Sequence, residues 1–234
     1  MKERPILFSG PMVRAILEGR KTVTRRTVKG NQIPEENASE SDPVLRWTAV
    51  AQNDSRYGFI VNGSTATECA QELAKFGRCP YGQPGDRLWV REAFLPDPDA
   101  DHRSWANWTE TYVSWSGCGS RIDGVPPALR KPEHCIYREG WSGGELAWRP
   151  SIHMPRWASR ILLEITAVRI ERLTDISYEQ ARAEGYPADR EAETGGSDLD
   201  AWLWFRSLWK EINGPTSFDA NPWVWVVEFK MVTP

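Results

Sequence analysis

"PMVRAILEGRKTVTRRTV", Pro11 to Val28, decides how this chain is read. Met12, Val13, Ile16 and Leu17 recur at helical spacing, Pro11 suits a first helical turn, and Gly19 suits a C-terminal cap. The spacing predicts a short helix from Pro11 to Glu18. From Lys21 the pattern changes to alternation rich in β-branched residues, which predicts a strand. Lys21 therefore stands where a helix hands over to a strand, a junction that presents side chains from a rigid scaffold. Arg20, Lys21, Arg25 and Arg26 crowd this junction with positive charge. On charge pattern alone they are either a solvated turn or a site.

Other strands follow outward from this point. "RWTAVA" (46–51) and "RYGFIVNG" (56–63) predict two strands with a turn at Gln52–Ser55. "TATECAQELAKFG" (65–77) predicts a short helix with Thr67 near its N-cap and Gly77 at its end. "QPGD" is a turn signature, and "RLWVREAF" (87–94) alternates as a strand should. "RILLEITAVRIERL" (160–173) is a long β-branched stretch, expected to be a central strand. "TDISYEQARAEGY" (174–186) predicts a helix led by Thr174 or Asp175. Residues 186–198 are expected to be an acidic loop. "DLDAWLWFRSLWKEING" (198–214) predicts a helix whose apolar side runs through Leu199, Leu203, Phe205 or Arg206, and Trp209. "PWVWVVEFKMV" (222–232) predicts a near-continuous strand. Strands with few helices indicate an α+β domain on a curled sheet or small barrel.

Two stretches interrupt the pattern. Residues 30–45 are polar, acidic and broken by Pro, which predicts a loop. Residues 96–150 are rich in Gly, Ser and Trp and carry short candidate strands, "ETYVSW" (110–115) and "HCIYRE" (134–139). They read as an insertion, either a lid or a decorated edge.

Composition limits the function. The formal net charge is −3, whereas proteins that coat nucleic acid are usually basic. Any nucleic-acid contact is then local. The chain has 13 Trp against 7 Phe and 6 Tyr, and Trp serves both core walls and stacking surfaces. No apolar run is long enough to cross a bilayer and the N-terminus lacks a signal-peptide core, so the expected location is the cytoplasm, with no membrane partner. Cys69, Cys79, Cys118 and Cys135 form no CxxC pair. Cys79, Cys118, Cys135 and His134 leave a zinc site conceivable, with scattered reduced thiols as the simpler reading. No GxGxxG or Walker pattern marks a cofactor, and none is expected.

Four segments, in order, resemble the ASCH superfamily, whose domains adopt a PUA-like β-barrel: "ILEGRKTVTRR" (16–26), "QPGDRLWVREAF" (83–94), "ITAVRIERLTDISYEQARAEG" (165–185) and "PWVWVVEFKMV" (222–232). "HMPRWASRI" (153–161) resembles the longer phage and prophage members. The resemblance implies a single domain over 1–234, a curled barrel with flanking helices, a loop insertion near 30–75 and a Trp-rich insertion near 96–150. It also implies a cleft for a base or nucleotide, and links to RNA binding. One bacterial branch hydrolyses N4-acetylcytidine with a proposed Lys, Thr and Glu. These match Lys21, Thr24 and Glu184, with Glu179 as fallback if the helix register shifts.

Elementary chemistry accommodates that set. Amide hydrolysis needs a nucleophile, a base and something to hold the developing charge. A lysine can act as base when burial or neighbouring cations pull its pKa down. Thr24 then attacks, or positions an attacking water, Lys21 takes the proton, and Glu184 assists departure of the cytosine amine. Arg25, Arg26, Trp89 and Arg91 are the candidate substrate contacts, as phosphate grips or stacking groups. Asp86 reads as a turn residue and His153 as a structural hydrogen bonder. Two other functions use the same residues: a non-catalytic module holding RNA or a modified base, and a metal-independent ribonuclease.

Overall fold

The computed structural model describes residues 1–30, 32–52, 56–96, 125, 127–143 and 146–232. The chain divides into two compact units, each assembled from separate stretches of sequence. The first comprises Met1–Lys2, Gly19–Asp86 and Glu164–Lys230; the second comprises Glu3–Glu18, Arg87–Leu163 and Met231–Pro234. The described residues form a mixed α+β structure with five α-helices. Their sheets are open, and none closes into the barrel that the resemblance implied.

In the first unit, β2 (Val23–Thr27) pairs antiparallel with β10 (Trp223–Val232), with Arg25 opposite Val226 and Val23 opposite Glu228. β10 also neighbours β9 (Leu162–Arg172). Alternation along β2 puts Val23 and Arg25 on one face, and Thr24 and Arg26 on the other. The Val23 face packs on α3 (Tyr178–Ala183) and α5 (Asp198–Asn213), in a core that includes Ile176, Ala181, Phe205, Trp209 and Val226. A small sheet of β3 (Glu35–Glu36), β4 (Trp47–Gln52) and β5 (Gly58–Gly63) carries α2 (Ala66–Phe76). At the start of α2, Thr65 Oγ1 accepts from the Glu68 amide while Glu68 reaches back to the Ser64 amide, a reciprocal cap. At Gly63 a β-carbon would lie 2.5 Å from the Cys69 nitrogen, so β5 can meet α2 this closely only as glycine.

In the second unit, β1 (Glu3–Leu7) pairs parallel with β6 (Arg87–Arg91), and β7 (Phe94–Pro96) pairs with β8 (Cys135–Tyr137). Helix α1 (Gly10–Leu17) belongs to this unit. Phe94, Cys135, Tyr137, Met154 and Ala158 form a core cluster there. Glu92 and Arg160 form a two-pronged ion pair at 2.9 Å on each prong, and the Arg160 guanidinium lies over the Tyr137 ring.

Several sequence expectations change. Strand β1 carries no alternation strong enough to be seen, and it forms because β6 supplies its ladder. The N-cap of α2 is Thr65 rather than Thr67. Ser177 caps α3, because Leu173–Asp175 forms a separate 3₁₀ turn first. Residues expected to be an acidic loop include α4 (Ala188–Thr194), where Arg190 pairs with Asp200 at 2.6 Å. Along α5 the buried stripe is Ala201, Phe205 and Trp209, while Leu199 and Leu203 are exposed. The larger aromatic stripe wins the core, since it removes more apolar area from water. The candidate strand at 110–115 lies outside the described residues. Among the described residues no helix is long and apolar enough to cross a membrane.

Candidate functional site

The site is built in the first unit, where the segment before β2 meets the end of α3. Ser177 Oγ accepts from the Gln180 amide and starts α3. The helix stops at Glu184, and Gly185 follows with φ 103°, a conformation that suits glycine. This stop aims both the carbonyl and the carboxylate of Glu184 at Lys21, which forms an antiparallel bridge with Glu184. Flanking backbone bonds fix the junction: the Thr22 amide donates to Ala183 O, and the Phe229 amide donates to Thr22 O, each at 2.9 Å. Arg20 reinforces it by donating to Tyr186 O at 2.7 Å.

Lys21 is among the largest fully buried side chains of the described residues, and the charged one in that group. Its ammonium donates to Val23 O at 2.9 Å, Glu184 O at 2.8 Å and Glu184 Oε2 at 2.7 Å. An ammonium has three donors, and these contacts supply an acceptor for each. Glu184 Oε1 accepts from Arg25 Nη1 at 3.2 Å. Arg25 Nη2 donates to Glu171 Oε1 at 2.7 Å and also to Gln180 Oε1. Glu171 Oε2 accepts from Arg169 Nε at 3.0 Å, and Arg169 Nη1 donates to Glu228 Oε1. The result is a chain of alternating charge: Lys21, Glu184, Arg25, Glu171, Arg169, Glu228. Three cations and three anions balance, so the cluster can be buried without a net charge.

Burial holds the Lys21 ammonium below the ordinary lysine value. The Glu184 carboxylate opposes that shift by charge and hydrogen bonding, and Arg26 and Arg25 add smaller pushes in the lowering direction. The sequence left burial and neighbouring cations open as the cause of that shift. The larger cause is loss of water around a side chain with no exposed surface.

The structure thus brings Lys21 and Glu184 into direct contact. Glu179, the fallback, is exposed in the first turn of α3 and is not the partner. Thr24 is buried on the opposite face of β2 from Arg25, and among the described residues its hydroxyl has no bond to Lys21 or Glu184. Arg26 is half-buried on the Thr24 face, where its charge also reaches Tyr81. Arg25, expected as a substrate contact, has no exposed side-chain surface and is bonded to Glu184, Glu171 and Gln180 instead. Trp89 and Arg91 lie in the second unit, with the Arg91 guanidinium 4.7 Å from the centre of the buried Trp89 ring. Sequence reasoning missed Glu171, Gln180, Arg169 and Glu228. The signal for two of them was "VRIER", which sets Arg169 and Glu171 on one face of a strand.

Among the described residues no group of three or more His, Cys, Asp or Glu is arranged to hold a metal ion. Cys79 and Cys135 are buried and form no disulfide, and Cys118 lies outside the described residues. Comparison of the chain with family models, curated proteins and solved structures gave no match.

Proposed function

We propose that this protein is an amidohydrolase that cleaves the N4-acyl amide of acylated cytidine or a related cytosine compound. The observation that carries the reading is the Lys21–Glu184 pair: an ammonium with no exposed surface, 2.7 Å from a carboxylate, with a depressed proton affinity. A lysine and a carboxylate that exchange a proton over that distance are a base and an acid in one unit. The resemblance of "GRKTVTRR" and "EQARAEG" to the ASCH superfamily assigns the substrate class. Its PUA-like cleft for a base belongs to the same proposal.

The chemistry runs in balance. Lys21 passes its proton to Glu184 along their hydrogen bond, leaving an amine and a carboxylic acid. The Lys21 amine takes a proton from the attacking group. With Thr24 on the other face of β2, a water positioned by its hydroxyl suits the attack better than the hydroxyl itself. The water oxygen bonds to the acyl carbon, the C–N4 bond breaks, and Glu184 gives its proton to the departing amine. The products are a carboxylic acid and cytidine, and the pair returns to its charged form. In this reading Arg26, half-buried on the Thr24 face, is the group that holds the developing oxyanion.

A phosphate-gripping RNA module is the competing reading. It loses Arg25, whose guanidinium is turned inward on three acceptors. The two separate in one experiment: incubation with N4-acetylcytidine, followed by its ultraviolet shift to cytidine, beside a titration with RNA. Turnover with weak salt dependence supports the hydrolase. No turnover, with RNA affinity that falls steeply as salt rises, overturns it.

A further inference from the structure

Glu171, next to last in β9, lies two residues beyond Arg169, so strand alternation sets both on one face. Strand β10 stands between β9 and β2, with Val226 opposite Arg25. The Arg25 side chain crosses β10 to put Nη2 2.7 Å from Glu171 Oε1. Its Nη1 lies 3.2 Å from Glu184 Oε1. One planar fork therefore carries two carboxylates, one of them the partner of Lys21.

Place in the chain of charges decides what each member does. Arg25 has no exposed side-chain surface, so salt and water screen its charge little. Set against Glu184, that charge opposes the arrival of a proton on the carboxylate. The proposed hydrolysis begins with such an arrival, from Lys21. Glu171 supplies the opposing charge. With it, Lys21, Glu184, Arg25 and Glu171 sum to zero; without it, the three buried groups carry a net positive charge. Glu228 stands beyond Arg169, with its side chain 40% exposed against 18% for Glu171, so its charge reaches the pair weakly. The other neighbours do not replace Glu171. Arg26 on β2 adds positive charge at Lys21, and Gln180 on α3 accepts from Arg25 without a charge of its own. Helix α5 contributes the Phe205 ring, 5.9 Å from the Arg25 guanidinium.

We infer that Glu171 is a positioning residue for the hydrolysis: through Arg25 it offsets the charge beside Glu184 and lets Lys21 hand its proton over. The inference rests on the amidohydrolase reading. In the step, a Lys21 N–H bond breaks and an O–H bond forms on Glu184 Oε2, while Arg25 and Glu171 stay charged. The same fork occupies Glu184 Oε1, which leaves Oε2 for Lys21.

Two measurements on Glu171→Gln, Glu171→Asp and Glu228→Gln test this, with folding checked by circular dichroism. Glu171→Thr, a neutral strand former, stands in if Glu171→Gln does not fold. The first measurement needs no substrate. Nitrogen-15 resonance of lysine-labelled protein follows the Lys21 ammonium, held by three acceptors, as pH rises. The uncancelled charge of Arg25 in Glu171→Gln should lower the titration midpoint of Lys21. Glu171→Asp should hold it near the native value, and Glu228→Gln should move it less than Glu171→Gln does. The second measurement is the rate on N4-acetylcytidine. Lys21 in Glu171→Gln loses its proton to solvent, and Glu184 stores less of it for the leaving amine. Turnover, kcat, should then fall about tenfold at unchanged KM and recover in Glu171→Asp. An unmoved Lys21 midpoint in the neutral variant, an equal shift in Glu228→Gln, or native turnover kept by the neutral variant would each overturn the inference. A native protein without turnover would sink the hydrolase reading, and the midpoint alone would then decide whether Glu171 acts on Lys21.

Discussion

Lys21 and Glu184 meet twice: the ammonium donates to the carboxylate of Glu184 at 2.7 Å and to the main-chain carbonyl of the same residue at 2.8 Å. The double contact ties the start of β2 to the end of α3. It makes the ion pair part of the backbone architecture as well as a chemical group.

Removing either partner leaves a charge in a dry place. Lys21→Met or Glu184→Leu alone is expected to cost about 3–5 kcal/mol of folding stability, and the double variant to recover a large part of that loss. Urea denaturation across the double-mutant cycle measures it. Single costs below about 1 kcal/mol, the range of exposed pairs, would contradict the buried pair.

Arg25 joins three acceptors through one planar fork. Arg25→Lys keeps the charge and loses the fork, so it should cost about 1–3 kcal/mol. The exposed pair Arg46–Glu36 supplies the control, and Arg46→Lys there should cost under about 0.5 kcal/mol. Equal thermal shifts for the two variants would argue against a special role for Arg25.

Gly185 sets the turn that aims Glu184, at φ 103°. Gly185→Ala is expected to lose ~1–2 kcal/mol through backbone strain. It should also lower turnover more than that stability loss explains at a temperature where the variant is folded. Full activity in the folded variant would show that the aim of Glu184 is set elsewhere.

Burial pushes the Cys69 thiol up to about 11, from an ordinary value near 9. The folded chain therefore keeps that proton longer than the unfolded chain. Its contribution to stability is complete below pH 9 and is lost as pH rises towards 11. At pH 8 an aromatic disulfide reagent should react with Cys69 slowly in the native protein and rapidly in urea. Cys69→Ala should flatten the stability profile between pH 9 and 11. Fast native labelling of Cys69 would contradict its burial.

Much of the scaffold was legible because it rests on local patterns. Alternation marked β2, a long β-branched stretch marked β9, a near-continuous apolar run marked β10, and the helical spacing of "AWLWFRSLW" marked α5, though its two exposed leucines suggested the wrong face. Strand β1 was not legible, since its ladder comes from β6, more than 80 residues further along the chain. The site shows the same division. Lys21 and Glu184 followed from motifs, and their contact distinguishes Glu184 from Glu179. Glu171 and Glu228 could not be tied to Arg25 and Arg169 from the sequence, because strand order and register set Arg169 of β9 beside Glu228 of the adjacent β10, and Arg25 of β2 reaches Glu171 of β9 across the intervening β10. The inward turn of Arg25 has the same origin: strand alternation places it on the α5 face, opposite Thr24.

The most direct test of the account is the rate at which N4-acetylcytidine is converted to cytidine by the native protein, by Lys21→Met and by Glu184→Gln, each checked for folding by circular dichroism. The account predicts turnover by the native protein and a fall of at least about a hundredfold in either folded variant. A folded native protein that leaves N4-acetylcytidine intact, or folded variants that keep the native rate, would contradict it.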